Sequence, residues 1–103
     1  MTQENQKRAA SQAPDPPLVP RDVPAFPCIV HVSTDGVHYR GRVVNLAGIE
    51  SSGSSERDLL GKIVPLFKQV VADYHQRGEV IPWITPVPDP EPTETKRFIP
   101  VHL

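Results

Sequence analysis

Apolar and polar residues alternate over residues 28–44, which indicates a pair of β-strands. The dipeptide Asp35-Gly36 lies within this stretch. It favours a two-residue type I′ turn, because both central positions of that turn need positive φ. In that register Thr34 pairs with Val37. We therefore predict an antiparallel β-hairpin over residues 26–45.

The predicted register gives the hairpin one apolar face and one mostly polar face. The apolar face comprises Cys28, Val30, Val32, Val37, Tyr39 and Val43. The other face comprises Ile29, His31, Ser33, His38, Arg40, Arg42 and Val44. A slip by one residue would exchange the two faces and bury several basic side chains. We therefore expect the first face to point towards a core and the second towards solvent.

The pattern changes to a helical period after Ser55. Ser55 with Asp58 is a weaker form of the capping box, and Arg77 followed by Gly78 is typical of a helix end. The apolar residues between them recur at the i, i+3, i+4, i+7 spacing and should form a stripe against the sheet. This stripe consists of Leu59, Leu60, Ile63, Val64, Leu66, Phe67, Val70, Val71 and Tyr74.

Pro65 falls in the middle of the predicted helix. Its ring would clash with the carbonyl of Gly61 in a regular helix, at a cost of about 3 kcal/mol. Two alternatives follow, a single bent helix or two helices separated at Pro65. The apolar stripe continues through the site, which favours a single bent helix.

Proline divides the chain, since only Pro65 of its 13 prolines lies between residues 28 and 81. We predict a disordered, proline-rich tail over residues 1–25 and a folded domain over residues 26–103. Within the domain, residues 46–53 should form a short third strand or a bulge. Residues 84–96 should form a proline-rich loop, and residues 97–103 a last strand that Pro100 restricts to an edge or a bulge.

These elements predict an α+β fold, with an antiparallel sheet of three to four strands in β-β-β-α-β order. One long helix should pack on one face of the sheet. Such a domain has a small core, so dimerisation or a partner would stabilise it, and we expect a homodimer.

The net charge of −1 gives no electrostatic argument for binding nucleic acid or a membrane surface. The chain has one cysteine and no apolar run of the roughly 20 residues that a membrane span needs. Its first residues do not resemble a secretory signal. We therefore expect a cytoplasmic protein without an internal disulfide.

The basic side chains of the polar hairpin face are the first candidate site. His31, His38, Arg40 and Arg42 could bind an anion or an RNA backbone. Alternatively, they form an ordinary solvated sheet face, which we favour because the face carries no aromatic side chain for base stacking. Trp83, just after the predicted helix, is the second candidate. It could plug the end of the core or anchor a partner, and we favour the plug.

The sequence favours a protein that is not an enzyme. The histidines, Cys28 and the acidic residues do not occur at metal-ligand spacings, and residues 48–55 lack the pattern of a phosphate-binding loop. We predict neither a metal nor a cofactor. Cys28 lies on the predicted apolar face, where a cysteine usually acts as a small hydrophobe. An enzyme acting through Cys28 is the alternative.

The order of these elements resembles the HicB-like antitoxin domain, which has a trimmed RNase-H-like fold. The resemblance covers residues 26–103. It rests on the hairpin CIVHVSTDGVHYRGRVVNLAG with its Leu46-Ala47-Gly48 turn, the polar loop Ser51–Ser55, the acidic helix start at Glu56, the exit Gly78-Glu79-Val80-Ile81-Pro82 and the closing RFIPVHL. Many members of that family also carry a C-terminal DNA-binding segment. This chain ends at Leu103 without one, so we expect a stand-alone, diverged member that does not repress its own operator.

The resemblance implies a protein-interaction module that binds a small toxin ribonuclease and neutralises it, usually as a dimer or a larger assembly. The alternative function is a weak nucleic-acid-binding module that uses the basic sheet face.

Overall fold

A computed structural model describes residues 25–103 as four antiparallel strands and one long helix. The predicted tail over residues 1–25 lies outside the described residues, apart from Ala25. The elements are β1 (Ala25–Thr34), β2 (Tyr39–Val43), β3 (Glu50–Gly53), α1 (Glu56–Arg77) and β4 (Thr95–His102). The strand order is β3-β2-β1-β4, and α1 packs on one face of the sheet, mainly over β2 and β3. The α+β prediction is confirmed.

The register of the hairpin differs from the predicted one by two residues. Thr34 pairs with Tyr39 rather than Val37, so residues 35–38 form a four-residue loop. The Asp35 carboxylate causes this, because its Oδ1 accepts the backbone N–H groups of Val37 (2.8 Å) and His38 (2.7 Å). A shift of two residues keeps every strand side chain on its predicted face. Val37 and His38 instead lie in the loop, and Val37 is 68% exposed.

The core lies between the inner face of the sheet and α1. The sheet contributes Cys28, Val30, Val32, Val43 and Val101; the helix contributes Leu59, Ile63, Phe67 and Val71; Leu46 and Ile49 come from the connection between β2 and β3. The predicted stripe on α1 is therefore correct along its centre. Leu66 is wrongly included in it, because this side chain is 47% exposed and does not belong to the core.

Both ends of α1 have the predicted caps. The Ser55 hydroxyl accepts the N–H of Asp58 at 3.0 Å, and Gly78 adopts a left-handed conformation (φ 67°) with its N–H donating to His75. The helix is continuous through Pro65, so the single-helix alternative is the correct one.

Gly41 of β2 allows α1 to approach the sheet closely. A Cβ atom at this position would lie 3.0 Å from side-chain atoms of both Leu59 and Ile63, which is too close for unstrained packing. The first two turns of the helix therefore sit directly over a strand position without a side chain.

The position of Pro100 agrees with the prediction that it belongs at a sheet edge, since β4 is the outermost described strand on its side. Pro100 stands opposite Pro27 of β1, and neither has an N–H to donate across the ladder. Antiparallel pairs alternate between hydrogen-bonded and non-hydrogen-bonded types, and two prolines fit the second type. The strand begins at Thr95, two residues before the predicted start.

Asn45 extends the sheet where the backbone of β2 turns away. Its side-chain Oδ1 accepts the N–H of Ile29 at 3.2 Å, and its Nδ2 donates to the carbonyl of Pro27 at 2.7 Å. Its own carbonyl accepts the N–H of Ile84, beyond the helix, at 3.0 Å. Asn45 is buried. This one residue therefore joins β1, the end of β2 and the chain that follows α1.

None of the described helices is long and apolar enough to span a bilayer.

The packing predicts that truncating two adjacent helix residues will change the stability of the protein by very different amounts. Phe67→Ala should lower the free energy of unfolding by about 3–5 kcal/mol, because it leaves a cavity in the core. Leu66→Ala, a matched truncation at an exposed position, should lower it by less than about 1 kcal/mol. Urea unfolding of the two variants measures both values, and equal losses would contradict this assignment of the core.

Asn45→Ala should lower the free energy of unfolding by about 1–3 kcal/mol, because it leaves the Ile29 N–H and the Pro27 carbonyl without their partner. Gln76→Ala, at an exposed position near the helix end, is the control and should change the stability by no more than about 0.5 kcal/mol. The same urea titration distinguishes them. If Asn45→Ala left the free energy of unfolding unchanged, solvent would have replaced the hydrogen bonds of the side-chain amide.

Candidate functional site

The chain between α1 and β4 crosses the outer face of the sheet, the face opposite α1. We call residues 84–94 the strap. At one end of the strap, Ile84 and Val87 line a cavity with Pro27 and Ile29 of β1. At its other end, Thr93 lies beside a second cavity lined by strand and hairpin-loop residues. The outer face is therefore partly covered by protein, contrary to the expectation of a solvated face.

His31 is the side chain most affected by this cover. It projects from β1 onto the outer face, yet only 1% of its surface is exposed. The prediction of a solvent-facing His31 is wrong: the ring is buried, and Glu94, at the end of the acidic, proline-rich segment, lies 3.5 Å from its Nδ1. Val44 was placed on the same solvated face and is likewise buried. Neither ring nitrogen of His31 has a hydrogen-bond partner among the described residues.

Glu94, at the end of the strap, brings a carboxylate into the basic face. Its Oε2 lies 3.3 Å from Nη2 of Arg42, and its Oε1 lies 3.5 Å from Nδ1 of His31. The backbone N–H of Glu91 donates to Glu94 Oε1 at 2.9 Å. This hydrogen bond, followed by the nearby Arg42, holds the pKa of Glu94 below its usual range. Arg42 is therefore an ion-pair partner rather than a free cation.

The predicted basic residues are only partly brought together. His31, Arg40 and Arg42 line one cavity of about 470 Å³, which we call the outer cleft. Its remaining lining residues are Ser33, Gly41, Glu50, Ser51, Ser52 and Glu94. His38 does not belong to it, because the register shift places His38 in the hairpin loop, 3.5 Å from the Asp35 carboxylate.

Trp83 packs against the end of the core, as the favoured interpretation predicts. Its ring centroid lies 6.3 Å from that of Phe26 in β1 and 6.1 Å from that of Phe67 in α1. Its partly exposed edge also lines the cavity at Pro27 and Ile29. Trp83 thus closes the core and contributes to an open surface beside it.

That surface is a second candidate site, which sequence reasoning missed. It is a cavity of about 320 Å³ lined by Phe26, Pro27, Ile29, Asn45, Trp83, Ile84, Thr85 and Val87, and we call it the apolar groove. Phe98 of β4 pairs with Ile29 on the same face and is 63% exposed. The apolar residues of RFIPVHL were a signal for this surface, but the path of the strap was not visible in the sequence.

Cys28 is enclosed in the core. Its burial raises the pKa of its thiol to about 12, so the thiol is protonated at neutral pH. Within residues 25–103, no group of three or more His, Cys, Asp or Glu side chains is arranged to hold a metal ion.

Comparisons of the chain with models of known protein families, with curated proteins and with solved structures give no match. The resemblance to HicB-like antitoxin domains therefore stays a prediction.

The Asp35 carboxylate in the hairpin loop should make the stability of the protein depend on pH in the acid range. Hydrogen bonds from the backbone N–H groups of His38 and Val37 lower the pKa of Asp35 from 3.8 to about 2. A lowered pKa means that the ionised form stabilises the fold above pH 3.8, and that this contribution is lost as the pH falls towards 2. In Asp35→Asn the decline in stability over this window should be shallower than in the wild type.

Chemical unfolding at a series of pH values measures this difference. Asp89→Asn removes an exposed carboxylate of the strap and is the control, which should keep the wild-type slope. Identical slopes for Asp35→Asn and the wild type would contradict the role of the Asp35 carboxylate.

Proposed function

We propose that this protein is a non-enzymatic interaction module that binds a small basic protein and neutralises it. Following the resemblance to HicB-like antitoxin domains, the partner is a toxin ribonuclease. The apolar groove, together with the exposed Phe98, is the docking surface.

The exposure of Phe98 carries this proposal. Its ring lies on the outer face of β4 beside Ile29, and the groove continues from there towards Trp83 and Ile84. Aromatic side chains next to a preformed apolar pocket are typical of the centres of protein interfaces. The described fold leaves this surface uncovered, although the core behind it is closed by Trp83.

The charge of the adjoining strap supports a basic partner. Residues 79–103 carry four acidic and two basic side chains, which gives this part of the chain a charge of −2. Asp89 and Glu91 are exposed on the strap that borders the groove. An apolar anchor with a neighbouring acidic rim suits a protein that presents an apolar side chain within a basic surface.

The β-β-β-α-β order also supports the proposal, because it is the order that the resemblance implies. The buried, protonated Cys28 weakens the alternative of an enzyme that uses this thiol as its nucleophile.

The test isolates the tagged full chain from its native host at moderate salt and then reconstitutes binding from purified components. We expect a small basic ribonuclease in near-stoichiometric amount, whose RNA cleavage stops when the chain is added. Phe98→Asp should weaken binding by at least about tenfold, as expected for an anchor residue. Val80→Asp is the matched control, because Val80 is 91% exposed and lies outside the groove.

Several results would overturn the proposal. The chain could be recovered alone, or only with RNA that higher salt removes, which would favour the nucleic-acid alternative. A partner whose affinity falls with Val80→Asp but not with Phe98→Asp would place the docking surface elsewhere. The wild-type protein could also bind no ribonuclease and form a homodimer that Phe98→Asp converts into a monomer. The groove would then be an interface between copies of this chain.

A further inference from the structure

The outer cleft has features of a ligand site that are separate from the apolar groove. Its volume of about 470 Å³ is typical of cavities that hold small molecules. Two arginines, Arg40 and Arg42, line it, together with the hydroxyl-bearing residues Ser33 and Ser52. Guanidinium groups and hydroxyls are the groups that proteins use to bind phosphate oxygens.

His31 is an independent indication of a ligand. It lines the cleft, is almost fully buried, and has two ring nitrogens without a hydrogen-bond partner in the described part of the chain. Buried polar groups are normally hydrogen-bonded, and leaving them unpaired costs free energy. An imidazole has at least one N–H to donate, so an acceptor oxygen in the cleft would satisfy it.

Glu94 shows where a negatively charged group fits. Its carboxylate oxygens lie 3.3 Å from Nη2 of Arg42 and 3.5 Å from Nδ1 of His31. Glu94 is the last residue of the strap. Among residues 25–103 no carboxylate lies within ion-pair distance of Arg40, so the described part of the fold leaves its guanidinium free to bind an anion other than Glu94. Glu50, exposed at the rim opposite Arg42, opposes such an anion.

We propose that the outer cleft binds the phosphate group of a small phosphorylated molecule, with Glu94 as the intramolecular competitor that occupies part of the site in the free protein. Arg40 and Arg42 bind the phosphate oxygens, and His31 donates to one of them. The remaining volume of the cleft holds the substituent of the phosphate.

The test is a titration of the full chain at constant ionic strength, followed by NMR of the His31 ring and of the Ser33 and Ser52 amides. The probes are inorganic phosphate, phosphoserine and a nucleoside monophosphate, which distinguish the possible substituents. We expect saturable shifts at these groups and tighter binding of at least one of the two monoesters than of phosphate. No saturable shift with any probe would overturn the proposal.

Two variants of cleft residues should change the phosphate affinity in opposite directions. Glu94→Gln should tighten binding by about tenfold, because it removes the competing charge, and Arg40→Gln should weaken it by about tenfold. Asp89→Asn makes the same charge change as Glu94→Gln outside the cleft, and Arg57→Gln removes an exposed cation of α1. These two controls should leave the affinity within about twofold of the wild type.

Equal effects of Glu94→Gln and Asp89→Asn would show a response to total charge rather than a site, and would overturn the proposal. Arg40 is exposed, so its replacement should leave the fold intact, and the spectrum of the free variant verifies this. Phe98→Asp should leave phosphate binding unchanged, which separates this site from the docking surface proposed above.

Discussion

The side-chain amide of Asn45 is the interaction on which the rest of the structure depends. The Val44 N–H donates to the Ile29 carbonyl at 2.9 Å, and the chain after β2 then turns away from β1. Pro27 has no N–H, so the Ile29 N–H and the Pro27 carbonyl would otherwise lack partners on the β2 side. The amide replaces the missing strand with two hydrogen bonds. Because the Asn45 carbonyl also holds Ile84, the same residue determines where the chain goes after the helix.

The functional surfaces follow from that attachment. Holding Ile84 against the sheet places Trp83 on the end of the core and directs the strap across the outer face. The strap then brings Glu94 to His31 and Arg42. Both candidate sites, the apolar groove and the outer cleft, therefore lie at the two ends of one segment whose path begins at a single buried residue, Asn45.

Local signals in the sequence predicted the elements that local interactions determine. The caps of α1 at Ser55 and Gly78 involve residues three positions apart, and both were found from residue type alone. The prediction of the hairpin register was wrong because two local effects competed. Asp35-Gly36 favours a two-residue turn, but in the observed four-residue loop the Asp35 carboxylate accepts two backbone N–H groups. The assignment of strand side chains to the two sheet faces remained correct, because the register shifted by an even number of residues.

The candidate site was less predictable, because it depends on contacts between distant parts of the chain. The alternation of the hairpin correctly grouped His31 with Arg40 and Arg42. It could not show that Glu94, 52 residues after Arg42, would form an ion pair with Arg42 and lie close to His31. An acidic, proline-rich composition predicts an extended segment, yet it contains no information about the surface on which that segment lies.

The burial of Cys28 gives this protein an internal reporter of its own opening. The thiol is the chain's one cysteine, and it lies in a central strand with no exposed surface. A thiol reagent can reach it only when β1 separates from the helix or from its neighbouring strands. The rate of alkylation in the native protein would therefore record how often the sheet opens, without any label being introduced.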